Sequence, residues 1–265
     1  VLERIFSSTP MLIAVHCEDE TTIKNNLAQY KEEYGEDVPV TAHHLIRSEE
    51  ACYLSSSKAI ALAKKTGARL HIFHLSTAKE MDLFTNKIPL EDKKITAEVC
   101  VHHLWFTNED YATKGNFIKW NPAVKTATDK EALWKALLDD RIDVIATDHA
   151  PHPAEDKDCE WQAAAFGMVG LQTAFSSLIS LASKELPLDM LLEKLSNGPR
   201  KVLKLPTIRI EEGEFAKLTL LDVHLKWQYN EESNISKSNN SPLFGQLLTG
   251  KSVGVINGEK LYFPS

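Results

Sequence analysis

The chain has 265 residues, 43% hydrophobic and 25% charged, with a formal net charge of -7. That balance is ordinary for a globular protein and leaves room for one large domain or two modest ones. The acidic excess argues against a nucleic-acid surface, and no apolar run is long enough to span a bilayer.

The first residues, VLERIF, carry neither an initiator Met nor a signal peptide, so the chain is expected to be cut from something longer. MLIAVHC (11–17) reads as a strand. A long helical region follows, with YKEEYGED inside it and SEEACYLSSSKAIALAKKTG closing it, so that Gly67 stands at a helix C-cap position. RLHIFHLS (69–76) is the next strand, STAKEMDLFTNK the next helix, and ITAEVCVHHL (95–104) the third strand. ATDKEALWKALLDD (127–140) is helical, with Ala132, Leu133, Ala136 and Leu137 at helical spacing, and DVIATDHAP (143–151) is the fourth strand. This β-α-β-α rhythm implies a parallel sheet, in a Rossmann-like fold or a TIM barrel. No G-x-G-x-x-G follows any strand, so a dinucleotide site has no support. Cysteines at 17, 52, 100 and 159 form no C-x-x-C pair and suggest reduced thiols in a cytoplasmic protein.

Polar residues fall where a barrel would need them. His16 ends the first strand, His74 the second and Asp148 the fourth. In a (β/α)8 barrel, active-site groups sit at the C-terminal ends of strands. Two imidazoles and a carboxylate are the usual donors of catalytic zinc. The two-residue period agrees: Leu12, Ala14 and His16 share a face, as do Val144, Ala146 and Asp148. Taken singly, each has a plainer reading. A strand-end His is more often a satisfied structural residue, and Asp148 could cap the turn before Pro151. Three such residues at equivalent places in one βα series outweigh that. His43, His44, His71, His102 and His103 read as structural or solvent-facing. His71 has the opposite parity to His74 and is expected to face the helices. His102 and His103, adjacent in a strand, should point to opposite faces.

The stretch ATDHAPH after an apolar strand resembles the dihydroorotases, within the cyclic amidohydrolases of the amidohydrolase superfamily. AVHCEDE (14–20) and HIFHLST (71–77) resemble the family's fifth- and sixth-strand motifs. TAEVCVHHL (96–104) is similar to a TAEV-x-PHHL segment, with Val101 where Pro is usual. KWNPAVK (119–125) resembles NPPLR, departing at Ala123 and Lys125, and AAFGMVGLQT (164–173) resembles PFGxxGLET. IEEGEFAKLTLLD (210–222) looks like G-x-x-ADLxLxD with Lys217 in place of Asp, and residues 241–262 resemble the family's closing strands. The family's first-strand His-x-His, which binds one metal, occurs nowhere in this sequence.

The resemblance implies an α/β fold: the second half of a metal-dependent TIM barrel over residues 1–204, and part of a small β-sandwich domain over 205–265. It implies two zinc ions, His16 and His74 on one and Asp148 on the other, with the remaining ligands outside this chain. Asp148 would move a proton from the attacking water to the leaving amide nitrogen. Asn121, His152, Phe166 and Gly167 match substrate-contacting positions; without the resemblance, Asn121 reads as a turn residue and Gly167 as a loop hinge. The implied reaction is reversible opening of dihydroorotate to N-carbamoyl-aspartate, a step of pyrimidine synthesis. A homodimer is compatible with this reading; a membrane or nucleic-acid partner is not expected. Two alternatives stand beside it: a hydantoinase, dihydropyrimidinase or allantoinase, against which His152 argues, and an inactive structural partner. The segment 227–241 reads as a surface loop to which no function is assigned.

Overall fold

The computed structural model of the chain describes residues 1–182 and 187–263. Four parallel strands pair in sequence order: β1 (Leu12–Val15), β2 (Arg69–Ile72), β3 (Ile95–Cys100) and β4 (Val144–Ala146). Among the described residues this sheet does not close on itself. An antiparallel sheet follows, with β5 (Lys217–Gln228), β6 (Leu247–Asn257) and β7 (Lys260–Tyr262) in that order.

The helices begin and end where local chemistry directs. Asp19 caps Glu20–Tyr34 by accepting from the Thr22 amide, and Ser48 caps Glu49–Thr66 by accepting from that of Ala51. The expected continuous helical region breaks at Gly35, whose φ of 64° ends the first helix. Gly67 closes the second in the left-handed conformation, as its position suggested.

One face of the parallel sheet packs on helices. Leu70, Ile72, Ala97, Val99 and Ile145 join Ile60, Ala63, Leu133, Ala136 and Leu137 in the main core. A second core holds Phe106, Trp120, Val124 and Met168 against Tyr229, Leu243 and Leu248, and so seats the C-terminal segment on the rest.

Three expected elements differ. STAKEMDLFTNK forms only a 3₁₀ turn, Lys79–Leu83. Met81 and Phe84 are both buried, and a three-residue repeat puts such a pair on one side. The third strand stops at Cys100, and Val101–Trp105 is a short helix. His102 and His103 are therefore helical, and both are buried rather than split across a strand. The Pro usual at position 101 was the available signal, since Pro favours the first helical position.

His71 also corrects the parity argument. The register sets Ala14 opposite His71 and His71 opposite Thr96, so His71 lies on the face turned away from the helices. There its Nδ1 is 2.8 Å from Thr96 Oγ1 and its Nε2 3.1 Å from Glu98 Oε2. His74 reaches that side despite its parity because its φ is 36°, which reverses the alternation of an extended chain.

Candidate functional site

β1 and β2 deliver two imidazoles to one point. His16 Nδ1 lies 3.1 Å from His74 Nε2, with the rings edge to face. His16 Nε2 lies 3.1 Å from Glu18 Oε2, which also accepts from Arg47. A ring nitrogen facing a carboxylate carries the proton, so Nε2–H donates to Glu18 and Nδ1 presents a lone pair toward His74. Burial opposes ionisation of Glu18, but the His16 hydrogen bond and the charges of Arg47 and Lys125 outweigh it and hold the carboxyl down at about 2.

With no ion bound, a proton on His74 Nε2 donated to His16 Nδ1 satisfies this contact; a divalent ion would take that proton's place between the two nitrogens. Ligands 2.0–2.1 Å from one tetrahedral zinc sit about 3.3 Å apart, close to the spacing observed. The donor set therefore fits a divalent ion. Burial lowers the pKa of His74, as does the neighbouring His16, while the charges of Asp148 and Glu98 pull it the other way. A neutral His74 is the form able to donate a lone pair.

β4 ends at Ala146, and Asp148 follows with φ 43°, exposed on the same side of the sheet. The next imidazole, His149, serves the backbone. Its Nδ1 accepts from the amides of Gly170 and Leu171 at 3.1 and 3.2 Å, and the residue bridges to Met168. His152 is held by its carbonyl, which accepts from Ser238 and from Asn240 Nδ2. The loop to which the sequence assigned no function thus buttresses a candidate site residue. His149, Pro151, His152, Ser236 and Ser238 line a cleft of about 650 Å³.

Asn121 precedes a cis peptide bond to Pro122, and its Oδ1 is buried with no protein partner. The Phe166 ring is 44% exposed, with Arg47 5.5 Å and Lys119 Nζ 4.3 Å from its centroid. Gly167 needs its φ of 135°, and a Cβ there would come within 2.4 Å of the Ala150 carbonyl oxygen. Its amide donates to Lys119 O at 3.0 Å and its carbonyl accepts from Lys157 Nζ at 2.6 Å. Both polar groups of Gly167 are engaged by the protein.

Sequence reading missed Glu18, Arg47, Ser238 and Asn240. Glu18 could have been found from its parity with His16. The others come from distant segments and carry no local signal.

A family model described as the amidohydrolase family matches residues 7–259. A dihydroorotase of Carboxydothermus hydrogenoformans is 43% identical over 202 residues, covering 74% of this chain and 46% of that protein. A dihydroorotase of Listeria innocua is 33% identical over 259 residues, covering 95% of this chain and 58% of that protein. The chain spans about half the length of the curated relatives it matches. The solved structure of L-hydantoinase (dihydropyrimidinase) from Arthrobacter aurescens matches with a TM-score of 0.88 at 26% identity, over 98% of this chain and 59% of that one.

Proposed function

Because the chain belongs to the amidohydrolase family, we propose that it supplies half of the active site of a dihydroorotase. In this reading residues 1–204 are the second half of a TIM barrel, and 205–265 belong to a small β-sandwich domain. The observation that carries it is the pair of His16 and His74 nitrogens, 3.1 Å apart at adjacent strand ends. The dihydroorotase relatives support the substrate over a hydantoin or dihydropyrimidine.

His16 and His74 would hold one divalent ion, zinc in this reading, and Asp148 would contribute to a second. When bound, the metals polarise the ring carbonyl and make water a competent nucleophile. Asp148 takes the proton of the attacking water at a carboxylate oxygen and returns it to the departing amide nitrogen. Asn121, with its unpartnered Oδ1, orients the ring, and His152 meets the substrate carboxylate. The backbone at Phe166 meets the ring. Gly167, its main-chain groups already engaged, retains only a second lone pair on its carbonyl oxygen and otherwise shapes the wall.

The test is ring opening and closure by the full-length protein that carries this chain. Dihydroorotate should turn over in both directions, and Asp148→Asn should lower both rates by roughly 10²–10⁴-fold. Turnover of dihydrouracil or hydantoin in preference to dihydroorotate would overturn the substrate; a near-normal Asp148→Asn would overturn the proton path.

A further inference from the structure

Where β3 gives way to the helix Val101–Trp105, three soft donors meet away from solvent. Cys100 Sγ and ring nitrogens of His102 and His103 all lie within 4.8 Å of one another. The three residues are 0%, 2% and 3% exposed. The two rings are tilted with centroids 4.4 Å apart, and Trp120 closes over His102 at the same distance.

The hydrogen bonding around them is incomplete in a directed way. His103 Nε2 lies 2.9 Å from the Pro122 carbonyl oxygen, so Nε2 is the protonated nitrogen and donates. Its Nδ1 is left as a lone pair, buried and without a partner. Neither nitrogen of His102 has a partner, and both are buried. A ring N–H anchored on a backbone carbonyl, with the other nitrogen free, is how metal-binding histidines are commonly oriented. Buried polar atoms normally find a partner, so three unpartnered ring nitrogens beside one thiol need an explanation.

We propose that Cys100, His102 and His103 form a buried three-donor site for a divalent ion of the zinc class, separate from the His16–His74 pair. Binding forms one metal–sulfur bond and two metal–nitrogen bonds, the thiol proton leaves to solvent, and the fourth tetrahedral position is left to water or another donor; no electrons change hands. Tetrahedral zinc sets its ligand atoms about 3.3–3.7 Å apart, so donors that now lie within 4.8 Å of one another draw together around the ion. The role is structural. The ion ties the end of β3 to the following helix and, through the His103 bond to Pro122, fixes the segment that carries Asn121.

The test uses the full-length protein with its metals replaced by cobalt. Zinc-edge X-ray absorption on the wild type reads the ligands without any mutation. A sulfur ligand in that spectrum, and a near-ultraviolet thiolate-to-cobalt band, are expected. Cys100→Ser and His102→Gln should each lower the metal content by about one ion per chain and remove the band, whereas Asp148→Ala should keep it. Cys17 neighbours His16, so a band that survives in Cys100→Ser would assign the thiolate there and overturn the site. A wild-type spectrum with nitrogen and oxygen ligands alone overturns it as well, whether or not the variants fold.

Discussion

Glu18 decides which nitrogen of His16 is free. Its Oε2 accepts from both His16 and Arg47 while its side chain is only 1% exposed. In Glu18→Gln an uncharged amide oxygen must serve both donors, and the ring loses its preferred orientation. Metal affinity at the His pair should fall by roughly 10–100-fold, the usual cost of disturbing such a support. Chelator competition on the full-length protein measures it; unchanged affinity would mean that His16 is oriented by something else. His152 is proposed to act on specificity. Its backbone is pinned by Ser238 and Asn240, so the ring is presented from a fixed point. His152→Ala should impair dihydroorotate far more than uncharged dihydrouracil, and equal losses in kcat/KM would remove the carboxylate contact.

At the scale of elements, the loops after the strands are tied to helices and to one another. Asp129 accepts from Thr126 in a capping box and, through Oδ1, from the Ala78 amide at 2.8 Å in the loop after His74. Asp129→Ala removes a cap and leaves that amide unpaired. A loss of about 1–3 kcal/mol is expected in denaturant unfolding; no measurable change would show the loop to be held elsewhere. The loop before Gly167 is stitched by buried lysines. As an ammonium, Lys157 Nζ donates to the carbonyls of Lys119, Ala165 and Gly167, and as a neutral amine it can serve two of the three. Burial, with the nearby Lys119 charge, pushes its pKa from 10.5 down to about 7. Between those values the unfolded chain holds a proton that the folded one sheds, so stability rises with pH across that window. Wild type should therefore gain on Lys157→Met by up to about 1.4 kcal/mol per pH unit above pH 7. A difference that stays flat from pH 6.5 to 9 would refute the buried neutral amine.

Legibility followed the same divide. The positions of β1 to β4 and the helix Ala127–Leu138 were readable, because apolar runs and capping residues are local signals. The places of His16 and Asp148 just beyond their strands were readable for the same reason. His74 was found at its strand end, but parity misplaced its neighbour His71, because a single left-handed residue resets the alternation and leaves no mark in composition. The helix at Val101 was hidden by an apolar stretch that suits strand and buried helix equally. Arg47, Ser238 and Asn240 act across long sequence separations and could not be read at all.

For the whole molecule, the open sheet matters most. β1 and β4 each have only one strand partner among the described residues. On the face away from the helices, Ala14, His16 and Asp148 are exposed. Residues 1–265 expressed alone should hydrolyse no dihydroorotate and should self-associate, since unpaired strand edges recruit other strands. Sizing and an assay check this; an active monomer would contradict the half-barrel proposal.

The left-handed backbone at His74 and Asp148 has a further meaning. Non-glycine residues in that region are uncommon, and holding them there costs of order 1–3 kcal/mol each. Two left-handed non-glycine residues just beyond strand ends thus coincide with two of the groups proposed to do the chemistry. Selection for thermal robustness alone would favour glycine or asparagine at both. A lineage that lost the activity would be expected to relax at these corners first, well before its hydrophobic core began to drift.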